Sequence, residues 1–346
     1  MRVLQLGPFP PPHGGVAEHL SALRAALLAR GDTCPVVALT RPTGIGINDT
    51  DVYRPRTILQ LVRTLLDLRS DIVHLHIGGN LTLRVLGLIL LCTLLPGRNS
   101  VLTFHSGGYP VSPAGRRGGP MSVRGFIFRR LNRIIGVNAQ IIEMFYRFGV
   151  PKNKLRIISP YSVSRPSPGI VIPEEIKVFL RDHKPRLISV GMLEPEYGLE
   201  QQIDALELVR KEFPRAGLVL IGSGSLEADL RARIAEKHYA KHIRLLGDVN
   251  HDVTLRVIEE CDLMLRTTLY DGDAISVREA LHFGLPVIAT DNAMRPEGVD
   301  VIPAADLETL HAAIKRNLTR GGPQPIEHPD GQANIRAVLQ LYHEML

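Results

Sequence analysis

Short apolar runs alternate along this chain with longer segments whose apolar residues recur at helical spacing. In segment 17–29, for example, Leu20, Leu23 and Leu27 share one helix face. Buried strands joined by such helices form parallel sheets that are covered on both faces, so the pattern predicts an α/β protein. The predicted strands are 3–6, 35–38, 72–76, 101–104, 134–137, 187–190, 218–221, 243–246, 263–265 and 287–289. The predicted helices are 17–29, 58–68, 81–94, 123–132, 199–213, 226–238, 252–259, 306–317 and 334–345, and one that opens near Ser276.

The alternation stops once near the middle of the chain. Segment 161–185 contains proline and serine without a regular apolar period, and 346 residues are too many for one small core. We therefore predict two Rossmann-like domains, residues 1–163 and 164–331, that face a central cleft. Ligands commonly bind between domains of this kind. A last helix follows a stretch rich in glycine and proline, 321–331.

Composition limits the class of protein. Hydrophobic residues make up 45% and charged residues 22% of the chain, which is typical of a folded globular protein. Cys34, Cys92 and Cys261 are scattered without metal-like spacing, as in proteins of a reducing compartment. The longest apolar run, 85–95, is too short to span a bilayer. Residues 1–6 already read as a strand, so we expect no signal peptide ahead of it. We expect a cytoplasmic protein.

The most informative segment is 261–291, which reads as strand, acidic glycine-containing loop, helix and strand. Asp271 lies in the loop and Glu279 eight positions later on the helix. Such a loop is where βαβ units bind anions, because the helix amides point towards it. Carboxylates can also accept hydrogen bonds from two vicinal sugar hydroxyls. Alternatively, Glu279 is an acid in the first helical turn that only complements the helix dipole.

The sequence of this segment, DGDAISVREA at 271–280, resembles the E-x7-E signature of the retaining family 4 glycosyltransferases. Its second acid matches, and Asp271 replaces the first glutamate. The resemblance implies a GT-B fold, with the closing helix packed back on the first domain. It also implies that Glu279 holds the donor ribose and that Asp271 holds the hexose hydroxyls. Backbone amides would stabilise the diphosphate at Asp273, Ala274 and Ile275.

The first domain contributes two further candidates. Gly14 and Gly15 follow a proline-bearing loop and precede a helix, so a phosphate could approach the amides closely, although a rigid turn has the same sequence. In the family a similar loop lines the cleft. His105 ends a strand where the family carries a histidine that faces the transferred sugar. Without the resemblance, a buried core histidine is the alternative.

A pair of histidines raises the question of a metal. His74 and His76 lie two apart, so they point to one face of a strand. No third ligand lies nearby in sequence, and the resembled enzymes work without metal. We therefore interpret the pair as packing or acceptor-site residues, and we expect no metal and no cofactor beyond the nucleotide sugar substrate.

The second domain shows family features and one departure. Gly191 belongs to a segment similar to V-G-R-L-x-x-x-K-G-L, but Met192 and Tyr197 replace the arginine and lysine that contact the donor diphosphate. Gly247 and Val249 belong to a turn resembling the one that reads the nucleotide base. The Gly222-Ser223-Gly224 run does not continue as a nicotinamide-binding motif. We predict Arg266, at a strand end, as the replacement cation, in preference to Arg278.

Charge is unevenly distributed. No acidic residue lies between Asp71 and Glu143, and apolar residues recur at helical spacing in the basic segment 123–131. Such a segment can bind an anionic membrane, and we predict peripheral association with the inner face. A solvated basic face or a basic acceptor cleft are the alternatives, and no stacking platform favours nucleic acid. The arginines between Asp71 and Glu143 include Arg84, Arg98, Arg116, Arg117, Arg124, Arg129, Arg130 and Arg133.

Together these features predict a retaining glycosyltransferase. It would move a hexose from a nucleotide diphosphate sugar to a saccharide or lipid-linked acceptor, in the synthesis of cell-surface polysaccharide or glycolipid. Because both diphosphate cations are replaced, one alternative is a catalytically weak or inactive homologue that binds a sugar or a partner. A sugar-nucleotide epimerase of the same fold is another. The sequence leaves the sugar, the base, the acceptor and the oligomeric state open.

Overall fold

The computed structural model describes residues 1–40, 50–161, 165–303, 306–320 and 332–346. The chain forms two compact units. Unit 1 comprises Met1–Ser162 and Gln332–Leu346, and unit 2 comprises Val163–Gly331. The predicted domain boundary, between 163 and 164, lies beside this division. The predicted glycine- and proline-rich stretch 321–331 lies outside the described residues.

Each unit contains one parallel sheet. In unit 1 the spatial order is β3-β2-β1-β4-β5-β6-β7, and in unit 2 it is β10-β9-β8-β11-β12-β13. The strands of unit 1 are β1 (Val3–Gly7), β2 (Val36–Ala38), β3 (Val52–Tyr53), β4 (Ile72–Ile77), β5 (Asn99–Phe104), β6 (Arg133–Gly136) and β7 (Leu155–Ile157). Those of unit 2 are β8 (Arg186–Val190), β9 (Gly217–Ile221), β10 (Ile243–Gly247), β11 (Leu263–Arg266), β12 (Val287–Thr290) and β13 (Asp300–Ile302).

Helices connect the strands and cover the sheets. The first six are α1 (Gly15–Ala29), α2 (Ile58–Asp67), α3 (Leu83–Leu94), α4 (Pro113–Arg116), α5 (Val123–Arg130) and α6 (Ala139–Arg147). The others are α7 (Glu174–Asp182), α8 (Leu199–Glu212), α9 (Glu227–Ala235), α10 (His251–Glu260), α11 (Ile275–His282), α12 (Leu307–Arg320) and α13 (Ala333–His343). The predicted α/β class is confirmed, with two doubly wound parallel sheets.

The strand predictions are confirmed where the strands are buried on both faces. Every residue of β1, β4 and β9 is buried, which produces the continuous apolar runs seen in the sequence. Three strands were not predicted: β3, β7 and β13. Each has only two or three residues and lies at a sheet edge, where half-exposed positions leave no apolar run.

One helix lies where the sequence analysis found no periodicity. Within the predicted linker 161–185, α7 buries Ile176, Phe179 and Leu180, which follow helical spacing. The interpretation of this whole segment as an irregular linker was therefore wrong. The prolines and serines around nine helical residues masked the short period, because a single apolar triplet carries little signal.

The segment after unit 2 returns to the core of unit 1. Helix α13 places Ile335, Val338 and Tyr342 in a buried cluster with Val3 and other residues of the unit 1 sheet. The Tyr342 hydroxyl and His74 Nδ1 lie 2.5 Å apart inside this cluster. His74 Nε2 is hydrogen-bonded in turn to the Thr103 hydroxyl at 2.7 Å. The last helix thus satisfies a buried polar group of the central strand.

We expect Tyr342→Phe to lower the free energy of unfolding by about 1 to 3 kcal/mol, because it leaves a buried imidazole nitrogen without its partner. Urea denaturation of the purified protein measures this loss. Gln340→Ala, at an exposed position of the same helix, is the matched control and should change stability by less than about 0.5 kcal/mol. Equal stability of wild type and Tyr342→Phe would contradict the assigned hydrogen bond.

The strand order of unit 2 defines where a ligand fits. From the central strand β8 the chain proceeds outwards to β9 and β10, and it then returns to β11 on the other side of β8. The two neighbouring connections leave the carboxyl ends of β8 and β11 in opposite directions. In open α/β sheets this switch point leaves a crevice that binds ligands.

Candidate active site

Three buried charged side chains meet at the carboxyl end of β11. Arg266 donates to Asp271 through Nε at 3.1 Å and Nη2 at 2.5 Å. Arg295 donates to the same carboxylate through Nη1 at 2.5 Å. Arg266 also donates to the carbonyl of Val190, at the end of β8, and Arg295 to the carbonyl of Thr290, at the end of β12. The cluster therefore links the carboxyl ends of three neighbouring strands.

The ion cluster has more positive than negative charge. Asp271, Arg266 and Arg295 have side chains that are 8%, 8% and 4% exposed, so solvent screens them weakly. Burial alone would raise the pKa of Asp271, but the two guanidinium groups lower it. Burial also favours a lower pKa for Arg266, but the carboxylate raises it. Two guanidinium groups and one carboxylate leave one net positive charge, which favours an anion at this point.

Glycines let the neighbouring loops approach this cluster. A Cβ on Gly191 would lie 2.5 Å from Arg266 Nη1 and 2.6 Å from the ring of Tyr197. Gly222 has φ of 141°, and a Cβ added there would collide with the Gly191 carbonyl oxygen at 1.7 Å. The guanidinium carbon of Arg266 lies 4.8 Å from the centre of the Tyr197 ring, in a cation–π contact. Tyr197 therefore supports Arg266, and Gly191 provides the room for both.

The helix after the acidic loop begins at the same switch point. Helix α11 starts at Ile275 after Ala274, which provides no side-chain cap. Ser276 donates through its hydroxyl to the Val190 carbonyl at 3.2 Å, which fixes the helix start beside β8. Asp273 accepts from Arg278 Nε at 2.6 Å, so these two predicted residues form their own ion pair. Unpaired amides of a first helical turn attract anions.

Glu279 lies deeper than a first-turn residue. It is 3% exposed, and it follows the first turn of α11, which has no acidic residue. Its role as a first-turn acid that complements the helix dipole was therefore a wrong alternative. Glu279 Oε1 lies 3.2 Å from Nε2 of His251, the first residue of α10. A buried carboxylate held by one imidazole keeps capacity to accept further hydrogen bonds.

The remaining predicted residues of unit 2 lie at the carboxyl end of β10. Gly247 has φ of 74°, a left-handed conformation that favours glycine, and its carbonyl accepts from the Gly222 amide at 2.9 Å. Val249 packs against the apolar cluster between the sheet and α10. The turn therefore joins the same edge of the sheet as the ion cluster.

Unit 1 places its candidates at the corresponding edge of its own sheet. Gly14 is the N-cap of α1 and Gly15 its first residue, and a Cβ on Gly14 would meet nothing within 4 Å. His105 directly follows β5 and is 9% exposed. Burial lowers its pKa well below the usual value, which keeps the imidazole neutral at pH 7. These positions suit a phosphate and a neutral hydrogen-bonding imidazole, respectively.

Sequence reasoning missed Arg295 and His251. Arg295 lies 24 residues after Asp271, beyond the strand that follows the signature segment. Only the packing of β12 beside β11 brings its guanidinium to the carboxylate. His251 is the first residue of α10, the helix after the Gly247 turn. Its position at a helix start beside a turn predicted to bind the ligand was the signal that could have identified it.

A pocket of about 530 Å³ lies at the amino ends of the unit 2 strands, opposite the ion cluster. Its lining includes Lys184, Pro185, Cys261 and Pro286, which precede strands β8, β11 and β12. Ligands of such sheets bind at the carboxyl ends of the strands, and this pocket lies at the amino ends. The ion cluster, rather than this pocket, therefore marks the candidate site.

Two doubly wound units, with a cationic site at the switch point of the second, define a Rossmann-like architecture. Residues 172–300 match the family described as Glycosyl transferases group 1, and residues 13–160 match Glycosyltransferase Family 4. The fold is GT-B, and each unit of the chain matches a family of glycosyltransferases.

Individual relatives agree with this class. Amylovoran biosynthesis glycosyltransferase AmsK of Erwinia amylovora is 30% identical over 164 residues, which are 43% of this chain and 40% of AmsK. HepE of Anabaena, solved with UDP-glucose, has a TM-score of 0.68 at 16% identity, over 100% of this chain and 98% of HepE. A glycosyltransferase of Rickettsia africae has a TM-score of 0.69 at 15% identity, over 99% and 98% of the two chains.

Proposed function

We propose that the protein is a retaining glycosyltransferase that moves a hexose from a nucleoside diphosphate sugar to a saccharide or lipid-linked acceptor. The observation that carries this proposal is the buried pair Arg266 and Arg295 with its single carboxylate. A donor diphosphate has about two negative charges and needs paired cations in a buried site. The resemblance to AmsK and to HepE, which was solved with UDP-glucose, supports the same donor class and a role in polysaccharide synthesis.

The chemistry of each side chain determines its proposed role. Arg266 provides the positive charge that an arginine and a lysine supply in the family at the positions of Met192 and Tyr197. Tyr197 stacks on Arg266, whereas Met192 is exposed. Asp271 orients both guanidinium groups, and with three hydrogen bonds accepted it retains one lone-pair site for a hexose hydroxyl. Glu279 accepts the ribose hydroxyls.

Transfer then requires stabilisation of the leaving group. The bond between the sugar C1 and the diphosphate oxygen breaks, and C1 bonds to the acceptor oxygen on the same face. The acceptor proton passes to the departing phosphate, so no side chain serves as a covalent nucleophile. Arg266, Arg295 and the amides at Asp273, Ala274 and Ile275 stabilise the charge that grows on that phosphate, as preorganised dipoles do. In unit 1, His105 orients the sugar, and Gly14 and Gly15 let their amides approach the phosphate.

A nucleotide-sugar panel tests the proposal. One donor should raise the unfolding temperature of the wild type, because a ligand of the folded state stabilises it by mass action. Nucleotide release that requires an added acceptor then establishes transfer. Conversion of the donor sugar without acceptor would show an epimerase. Stabilisation without release or conversion would show a binding protein, and no stabilisation by any donor would contradict the proposed site.

We expect Glu279→Gln to weaken donor binding by about 1 to 3 kcal/mol, because it keeps the shape but removes the charge from a hydrogen-bond acceptor. Calorimetric titration of the donor measures the change. Glu259→Gln, which alters an exposed ion pair with Arg256, is the matched control and should bind normally. Unchanged affinity of Glu279→Gln for every donor would exclude the ribose contact.

We also propose peripheral binding to anionic membranes through unit 1. Among the described residues, no helix combines the length and apolarity that a membrane span requires. Met121, just before α5, is 97% exposed, and Val123 and Phe126, within α5, are 69% and 52% exposed. The same segment has exposed arginines. Apolar side chains that insert at an interface, together with cations that attract anionic lipids, support reversible attachment. The exposed arginines are Arg116, Arg117 and Arg130.

Anionic vesicles should therefore sediment the protein, and salt should release it, because the Debye length is about 8 Å at physiological ionic strength. The triple change of Arg116, Arg117 and Arg130 to Gln should abolish sedimentation. Arg129 donates to the carbonyls of Pro120 and Phe148, so its replacement would disturb the fold. As a charge-matched control, exposed arginines elsewhere are changed to Gln and should retain binding: Arg63, Arg181 and Arg320. Equal sedimentation with neutral vesicles would contradict the electrostatic part.

A further inference from the structure

Four buried histidines lie together in unit 1, and the proposed transfer reaction uses only one of them. His74 and His76 come from β4, His105 follows β5, and His19 projects from α1. Their rings lie close: the His74 and His76 centroids are 4.1 Å apart, and the His19 ring is 5.4 Å from His76 and 5.3 Å from His105. The sequence analysis considered only His74 and His76, and the fold adds two more imidazoles.

The cluster divides into one satisfied imidazole and three that are not. His74 bonds through both ring nitrogens, to Tyr342 and Thr103. Among the described residues, both nitrogens of His76, Nδ1 of His19 and Nε2 of His105 are buried without a hydrogen-bonding partner. Buried polar atoms nearly always have partners, so several orphans in one place require an explanation.

We propose that His19, His76 and His105 bind a divalent transition-metal ion of the zinc class. One ring nitrogen from each histidine lies within 4.8 Å of the others. A tetrahedral zinc ion with Zn–N bonds of about 2.0–2.1 Å holds its ligand atoms roughly 3.4 Å apart. Side-chain rotations that bring the nitrogens together by about 1.4 Å would complete the site.

The chemistry of the three ligands suits this ion. Imidazole nitrogen is a preferred ligand of zinc, cobalt, nickel and copper. A metal ligand must be neutral, and all three imidazoles are buried, where the charged form is disfavoured. Three histidines leave a fourth position for water or another oxygen ligand.

The surroundings fix the position of the central ligand. A Cβ on Gly7, in β1, would lie 3.0 Å from the Cβ of His76, so the glycine makes room for that side chain. The His74 ring, anchored by Tyr342 and Thr103, packs against the His76 ring, with the centroids 4.1 Å apart. Coordination through one nitrogen of His105 leaves its second nitrogen for a sugar hydroxyl, so the proposal is compatible with the proposed transfer.

Cobalt binding to the full-length protein, after removal of bound metal with a chelator, tests this site. The wild type should bind one Co²⁺ per chain with the intense visible absorption of a tetrahedral complex, and Zn²⁺ should displace it. His19→Gln, His76→Gln and His105→Gln should each weaken binding at least about tenfold, since even changes beyond the ligands cost 10- to 100-fold. His242→Gln, at a buried histidine of unit 2, is the matched control and should bind as the wild type does.

Two outcomes would overturn the proposal: no cobalt bound by the wild type, or wild-type affinity for cobalt in all three variants. If the variants fail to fold, X-ray absorption of the zinc-loaded wild type decides. Three imidazole nitrogens at about 2.0–2.1 Å support the site, and fewer than three exclude it. Neither measurement depends on transferase activity, so a failed metal site and a failed transfer reaction remain distinguishable.

Discussion

Asp271→Asn should lower the free energy of unfolding by about 3 to 5 kcal/mol, because it leaves two buried guanidinium groups without their shared carboxylate. Asp271 accepts three hydrogen bonds from Arg266 and Arg295. The asparagine amide keeps the shape but offers one acceptor oxygen and presents a donor to the second guanidinium. Urea denaturation at pH 7 measures the loss.

An exposed ion pair provides the control for this effect. Arg63 and Asp67 pair on the surface of α2 with side chains 84% and 69% exposed, so Asp67→Asn should change stability little. The pKa of Asp271 is lowered in the folded protein. Its stabilisation is therefore fully present above the unfolded pKa of about 3.9 and is lost as pH falls through the folded pKa. The difference in free energy of unfolding between the wild type and Asp271→Asn should be equal at pH 7 and pH 5.5 and should become smaller below about pH 4.

Arg266→Ala should lower turnover by at least about 100-fold, the scale for losing one preorganised group that stabilises a growing charge. Arg295 remains to pair with Asp271, so the fold should survive the change. Its turnover should fall at least as far as that of Glu279→Gln. Steady-state kinetics with the donor and acceptor found by the panel measure both.

Arg278→Ala tests whether any cation near the loop can stabilise the donor diphosphate. Arg278 pairs with Asp273 and is more exposed than Arg266, and we expect its removal to have little effect on turnover. Full activity of Arg266→Ala, in a protein whose thermal unfolding is normal, would show that the diphosphate binds elsewhere.

The elements that the sequence predicted well are those whose burial is complete. Strands such as β4 and β9 are apolar throughout, and their period is visible without a structure. The edge strands and α7 were missed, because two or three half-exposed residues, or one apolar triplet between prolines, carry little periodic signal. The resemblance, rather than periodicity, implied the GT-B arrangement.

The site was predictable as far as it follows chain order. Arg266 and Asp271 lie five residues apart on one strand and its loop, and both were identified from the sequence. Their contact was not, because the carboxylate was expected to meet sugar rather than a guanidinium. Arg295 in unit 2, and His19 beside His76 in unit 1, come from other connections of their sheets. Only the order of the strands brings such residues together, and a single sequence does not state that order.

The return of α13 to unit 1 affects how the protein folds during synthesis. Residues 333–343 follow unit 2 in the chain, yet they bury Tyr342 against His74 of the first unit. A ribosome therefore releases all of unit 2 before the core of unit 1 can close, although domains generally fold in order from the amino terminus. Until then, the surface of unit 1 that α13 covers stays open to chaperones and to other nascent chains.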